Sequence, residues 1–395
     1  MRTIGVVTAA RSDYGIYLPI LWKIRKCLEL NLKLMVTGMH LSPEFGWTVQ
    51  AIEDDGFEIV ARVETLLSSD SPEGISKAMG LGAIGFGQAY SGFRPDILLV
   101  LGDRFEMHAA VVASLPFNIP VAHIHGGEST EGAIDEPIRH SITKMSHLHF
   151  VSTETYGQRV IQMGEEPWRV MVTGAPALDH LEEMSLLSLE SLYQVHGFDL
   201  SAPTLLVTYH PVTLGKHDTQ AHMESLLRAL DDTKLNLIFT YPNADTESRS
   251  IIEMVRDFAE HRPNCSVAVS LGTQVYFSLM NQVAAMVGNS SSGIIEAASF
   301  HLPVVNIGDR QRGRLHGKNV IDVGNSQVEI ASGIEQALTP GFRVQLSGEP
   351  NPYGDGRASE RIVEALKSVT IDENLLLKRF YQLSNADAKP VLRHG

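Results

Sequence analysis

Histidines, carboxylates and arginines in this chain gather in a few short clusters, and the densest is HIHGGESTEGAIDE at residues 123–136. Imidazole beside carboxylate serves either as a metal-ligand set or as an acid–base pair. If the preceding run IPVAHI (119–124) is a strand, side-chain alternation puts His123 and His125 on one face. There they form a His-x-His metal pair or two proton handlers beside one substrate. Glu128 and Asp135 add carboxylates, and Gly126 and Gly127 let backbone approach a ligand closely. The plainer reading is a strand-to-loop junction. In it His123 is a hydrogen-bonded core residue, and Asp135 caps a helix whose first turn holds Pro137.

Further clusters follow other apolar runs. TAARSDYG (8–15) lacks G-x-G-x-x-G and the phosphate-loop pattern, so dinucleotide and P-loop recognition are not implied. Arg11 can still meet a phosphate there, unless it is a solvated loop residue and Asp13 a helix cap. LGDRFE (101–106) offers Asp103 at a sheet edge and the Arg104 fork for a diphosphate, or else an Asp cap beside an Arg–Glu surface pair. His210 in VTYHPVT (207–213) can donate to a phosphate on a leaving group or be a satisfied loop histidine. GNSSSGIIEA (288–297) places Ser290 and Ser291 at a helix start, with Glu296 about a turn inside. A carboxylate there can accept both hydroxyls of a ribose, and three serines exceed what one cap needs. Asn243 in YPNAD (241–245) is a candidate nucleotide contact. Arg310, Arg312 and Arg314 concentrate positive charge, and Arg310 stands directly after a strand.

The elements that must position these groups are legible as alternation. The pattern predicts strands at 3–9, 32–38, 57–63, 96–102, 119–125, 148–152 and 169–174, with helical patterns such as 17–29, 74–91 and 105–117 between them. Runs like ILLVL do not alternate, so these strands are buried on both faces, as in a parallel sheet covered by helices. The pattern restarts with strands at 204–210, 235–241, 265–270, 284–289, 303–308 and 319–324. The fold class is therefore α/β, with two Rossmann-like doubly wound domains at 1–177 and 178–358, then C-terminal helices and tail at 359–395. Two such domains are expected to place strand C-termini and helix N-termini on both sides of one cleft, where ligands bind.

Bulk numbers narrow the function classes. The chain has 395 residues and a formal net charge of −14, which argues against nonspecific nucleic-acid binding and adhesion to anionic membranes. No segment approaches the roughly 20 apolar residues of a membrane span. The first residues lack a signal-peptide core, and the two cysteines, Cys27 and Cys265, imply no disulfide framework. A cytoplasmic protein is expected. Together the clusters describe an enzyme acting on a nucleotide-linked substrate.

GDRFE, HIHGGESTEGAIDEPIRHSITKMSHLHFVST, HPVT, GNSSSGIIEA and NIGDRQRGR resemble the hydrolysing UDP-N-acetylglucosamine 2-epimerases of sialic acid synthesis. They are equally similar to relatives that act on UDP-N,N′-diacetylbacillosamine in legionaminic acid synthesis. The resemblance runs over nearly the whole chain. It implies a GT-B-like fold with the active site between two Rossmann-like domains, and a homodimer or homotetramer. It also implies release of UDP and a free manno-configured sugar without a metal or redox cofactor. Non-hydrolysing relatives resemble Gly-Asp-Thr where this chain has Gly-Asp-Arg, so Arg104 favours the hydrolysing branch. Many relatives carry glutamate at the position of His125, so its role passes here to His125 or Glu128. The implied reaction removes the C2 proton and expels UDP, then hydrates the resulting glycal with C2 inverted. Asp103, His125, Glu128 and Asp135 are the acid–base candidates. Arg11, Arg104, His210, Ser290 and Ser291 would hold the diphosphate, and Asn243, Glu296 and Arg310 would help place the nucleotide. His123 is counted with the substrate-binding groups, and His40, in TGMH, is expected to face the sugar. Rival readings are a GT-B glycosyltransferase and a nucleotide-sugar-binding protein without turnover.

Overall fold

Seven short apolar runs of the first half pair into one parallel sheet: β1 (Arg2–Thr8), β2 (Leu30–Thr37), β3 (Ile59–Val63), β4 (Ile97–Leu101), β5 (Val121–Ile124), β6 (Leu148–Val151) and β7 (Val170–Val172). The computed structural model describes residues 1–67, 69, 71–131, 134–211, 219–241, 248–268 and 271–383. The strand order β3-β2-β1-β4-β5-β6-β7 reverses between β1 and β4. Ligands bind at such a reversal in open α/β sheets.

The non-alternating runs have the burial they need. In β1 and β4, Val6 and Leu99 join one core with Tyr17, Ile20 and Ile24 of α1 (Arg11–Lys26). Their neighbours Val7, Leu98 and Val100 point to the other face. There they meet Phe86 and Tyr90 of α2 (Pro72–Gly92) and Met107 and Val111 of α3 (Phe105–Ser114). Each such aliphatic side chain contributes roughly 1.5–3 kcal/mol on burial. Two more helices follow β5 and β6: α4 (Asp135–Met145) and α5 (Glu154–Gln162).

The second sheet comprises β8 (Thr204–Thr208), β9 (Asn236–Thr240), β10 (Cys265–Ala268), β11 (Ala285–Gly288), β12 (Val304–Ile307) and β13 (Val320–Val323). It is also parallel, in the order β10-β9-β8-β11-β12-β13, with its reversal between β8 and β11. Its cores are closed by helices α6 (Thr219–Thr233), α7 (Ser248–Glu260), α8 (Gly272–Gln282) and, later in the chain, α10 (Gln327–Ala337), and the short α9 (Ser291–Ile295) follows β11.

The chain divides into two compact units. The first holds Met1–Glu128, Pro137–Gly174 and Ser359–Gly395, and the second holds Ser129–Glu136 and Ala175–Ala358. The segment after 358 thus groups with the first unit. Within it, Ile362 and Leu366 of α11 (Ala358–Ser368) and Leu375 of α12 (Glu373–Leu376) enter the core of the first sheet. Arg169, 1% exposed, holds the carbonyls of Asn374 and Leu375 at 2.6 and 2.9 Å. No helix among the described residues is long and apolar enough to cross a membrane.

Candidate active site

At the β1/β4 reversal two ion pairs form between residues far apart in sequence. Asp13, in the first turn of α1, is buried and accepts from Arg104 Nε at 3.2 Å. It therefore does not cap α1, whose N-cap is Ala10. Asp103 follows Gly102, which turns with φ +70°, and pairs with the Arg139 guanidinium of α4. Arg139 is 2% exposed and also donates to the Glu128 carbonyl at 3.0 Å. The Asp-cap and surface-pair reading of GDRFE is accordingly replaced by two separate bridges. Arg11 is exposed at the first residue of α1.

Two histidines expected at the substrate are bracketed by protein groups. The structure buries His123 completely, with Nε2 2.8 Å from the Gly102 carbonyl and Nδ1 3.2 Å from Thr143 Oγ1. The carbonyl requires Nε2 to carry the proton, and Nδ1 then accepts from the hydroxyl. Burial pushes the ring down to about 3, so it is neutral and pins the turn that presents Asp103. His40 is likewise buried, between Thr8 Oγ1 at 2.9 Å and Thr48 Oγ1 at 2.7 Å. Burial, with Arg104 nearby, takes it down to about 4. With both ring nitrogens engaged, neither histidine offers a hydrogen bond to a sugar.

His125 differs. The strand ends at Ile124, and His125 takes a left-handed φ of +63°, so alternation does not extend to it. The expectation that His123 and His125 share a face fails for that reason. His125 instead turns to Glu128, with Nδ1 2.6 Å from Oε1. Ser152 Oγ donates to the same oxygen at 2.8 Å. Nε2 of His125 has no protein hydrogen-bond partner among the described residues. Gly127 makes the loop possible: at its φ of +76° a Cβ would lie 2.5 Å from the Tyr156 carbonyl. Asp135 opens α4, four residues before Arg139 and so on the same helix face.

In the second unit the reversal is bridged by a reciprocal pair. His210 N donates to Asn289 Oδ1 at 2.7 Å, and Asn289 Nδ2 returns a bond to the His210 carbonyl at 2.9 Å. The Asn289 carbonyl accepts from Arg310 Nη1 at 2.9 Å and Gln311 Nε2 at 2.8 Å. His210 is pushed down to about 3 by burial, then by the Arg310 charge. Ser290 caps α9, Ser291 is its first residue and Glu296 follows its end. The Tyr276 hydroxyl is raised to about 12, by burial first, while the neighbouring Ser292, Thr208 and Ser290 hydroxyls pull it back down. The loops after β8, β11 and β12 thus gather an arginine, an imidazole and several hydroxyls in one place. Such a set suits an anion and a polyol. Arg312 and Arg314 face Glu131 and the Ser129 carbonyl of the same unit, at 3.7 and 3.3 Å. Asn243 lies outside the described residues.

Sequence reasoning missed Arg139, Ser152, Asn289 and Tyr276. Arg139 carried a signal, a cation four residues after Asp135, whereas Ser152 and Tyr276 carry none outside the fold. Among the described residues no group of three or more His, Cys, Asp or Glu is arranged to hold a metal ion.

Two parallel doubly wound sheets, each with charged and polar groups gathered at its reversal, define a GT-B-like α/β protein with two Rossmann-like units. Solved structures share this architecture. One is a UDP-GlcNAc 2-epimerase from Neisseria meningitidis bound to UDP-GlcNAc, at TM-score 0.78 and 20% identity, covering 93% of this chain and 99% of that one. The family model for UDP-N-acetylglucosamine 2-epimerase matches residues 23–367. The chain belongs to that family. It is 38% identical to a UDP-N,N′-diacetylbacillosamine 2-epimerase (hydrolyzing) of Legionella pneumophila, over 96% of this chain and 99% of the relative. It is 39% identical to a GDP/UDP-N,N′-diacetylbacillosamine 2-epimerase (hydrolyzing) of Campylobacter jejuni, over 97% and 99%.

Proposed function

We propose that this enzyme, a UDP-sugar 2-epimerase, is hydrolysing: it converts a UDP-2-acetamido-gluco sugar to UDP and the free manno sugar. The C2–H bond and the C1–O bond to UDP break to leave a 2-acetamidoglycal. Water then supplies hydroxyl at C1 and a proton at C2 from the opposite face. C2–H has no adjacent carbonyl to acidify it, so the reaction needs a placed base and a neutralised leaving group. Inversion requires proton handlers on two faces.

The observation that carries this reading is the His125–Glu128 pair. Glu128 holds Nδ1, and Nε2 is left to exchange a proton with substrate. The pair takes the place of the glutamate many relatives carry at position 125. Asp103, given a counter-charge by Arg139, and Asp135, at the start of α4, are the candidates for the second proton handler. Arg11, Arg104, His210, Ser290 and Ser291 take the diphosphate, and Glu296, Arg310 and Asn243 the nucleoside side. His210, kept neutral by burial and by the Arg310 charge, serves the diphosphate as a neutral hydrogen-bond donor. His123 and His40 shape the first unit's turns and do not touch substrate.

For the sugar, N,N′-diacetylbacillosamine is favoured over N-acetylglucosamine, because the relatives at 38 and 39% identity over whole chains carry that name. Unpaired Cys27 and Cys265 support a cytoplasmic setting. The test is proton NMR in D2O with UDP-N,N′-diacetylbacillosamine, its GDP form and UDP-N-acetylglucosamine in turn. The expected product is free manno sugar deuterated at C2, with UDP released fastest from the diacetyl substrate. A gluco product retaining its C2 proton overturns the epimerase reading, and an intact nucleotide sugar points to the transferase or binding-protein rivals.

A further inference from the structure

Ser152 stands where β6 gives way to α5, and both neighbours fix it. The β5–β6 ladder pairs Ile124 with Phe150, and one further bond, from His125 N to the Phe150 carbonyl at 3.1 Å, carries the alignment to His125. On the other side Thr153 caps α5, its side chain accepting from Tyr156 N at 3.3 Å. Between these anchors Ser152 is 2% exposed, and its hydroxyl meets Glu128 Oε1 at 2.8 Å, the oxygen that also holds His125 Nδ1 at 2.6 Å.

We propose that Ser152 is a positioning residue for the reaction, acting through Glu128 to fix the His125 tautomer and to limit how strongly the ring holds a proton. The inference rests on the acid–base role assigned to His125 above. A carboxylate oxygen that accepts two hydrogen bonds shares its negative charge between them. Arg139, which donates to the Glu128 carbonyl, and the neighbouring rings of His123 and His149 also act on this pair and are unchanged by the substitution. Without the serine donor a larger share of the carboxylate charge faces the imidazole, which then grips a proton harder and releases it less readily. The alternative, a hydroxyl that merely satisfies a buried carboxylate, predicts lost stability without a change in proton affinity.

The experiment compares Ser152→Ala and Ser152→Cys with the wild type. The thiol keeps a weak donor at similar size. In the kcat/KM–pH profile, the acid limb of Ser152→Ala moves to higher pH by about 0.5 unit, half of what one net hydrogen bond is worth. Ser152→Cys falls between, and the dissociation constant for UDP changes less than twofold in both. In histidine-15N-labelled protein, the Nδ1–H resonance of His125 moves further downfield in Ser152→Ala as its bond to Glu128 strengthens. An acid limb and an Nδ1–H signal that both stay in place overturn the proposal. The resonance needs no turnover. If the wild type leaves every nucleotide sugar intact, the functional reading fails by itself and the NMR comparison still judges the relay.

Discussion

His123 makes the stability of the first unit depend on pH in a calculable way. Its ring is fully buried and neutral, donating to the Gly102 carbonyl and accepting from Thr143. The unfolded chain takes up a proton at the ordinary value of 6.5, whereas the folded one resists until about 3. Between these values the unfolded state binds more protons, so acid favours unfolding. The contribution is whole above pH 6.5 and is lost progressively as pH falls towards 3. From pH 7.5 to 5.0 the loss is about 2 kcal/mol, since one pKa unit is worth about 1.4 kcal/mol. His123→Gln keeps an amide N–H for the Gly102 carbonyl and removes the titration. The variant costs a roughly constant amount, but its gap to the wild type should close by about 2 kcal/mol across that range. Depressed histidines away from His123, such as His40 and His210, cancel because both proteins carry them. Urea unfolding followed by tryptophan fluorescence isolates the effect: Trp22, Trp47 and Trp168 are the chain's three tryptophans, and all lie in the first unit. A gap that stays constant within about 0.5 kcal/mol would falsify the neutral-bracket account, since His123 would then titrate alike in both states.

Two further substitutions address the second unit. Gly288→Ala places a Cβ 1.9 Å from the Thr208 carbonyl at a φ of +138°, so UDP binding should vanish in calorimetry while the tryptophan-reported transition of the first unit survives. Retained UDP affinity would mean that the β8–β11 reversal does not hold the nucleotide. Arg310→Met removes the guanidinium that anchors the Asn289 carbonyl and depresses His210. UDP affinity should fall about 10- to 100-fold, the loss of about 1.4–2.7 kcal/mol at a charged contact. A change below about twofold in the same titration would remove Arg310 from the site.

Much of the fold was legible because burial on both sheet faces leaves a trace in one dimension. The run ILLVL has no polar partner residues, since Leu98 and Val100 meet one helix layer and Leu99 and Leu101 the other. Where strands end is less visible. His125 looks like the continuation of VAHI, but chain reversal demands a positive φ there, and the side chain leaves the strand's register. The C-terminal helix at 358–368 was visible as a helix, yet amphipathic spacing does not say which sheet it covers. Its placement depends on Arg2 and Arg361, whose guanidiniums reach the Val369 and Thr173 carbonyls at 2.6 and 3.0 Å. Asp103 and Arg139 are 36 positions apart and became a pair only through the fold.

The histidines show why a motif locates a site without assigning its parts. In HIHGGE both rings have the same chemistry and nearly the same neighbours in sequence. What separates them is hydrogen-bond capacity already committed. His123 spends both nitrogens on Gly102 and Thr143, and His125 spends one on Glu128. A ring with both nitrogens engaged can shape a turn but cannot relay a proton to an outside molecule without breaking a buried bond. A ring with one nitrogen held by a carboxylate has its tautomer set and its second nitrogen available. The same accounting makes the residues absent from the motif consequential: Thr143 commits one histidine to structure, and Ser152, through Glu128, conditions the other for chemistry. A relative that keeps HIHGGE but replaces the serine should therefore retain the turn and lose the tuning.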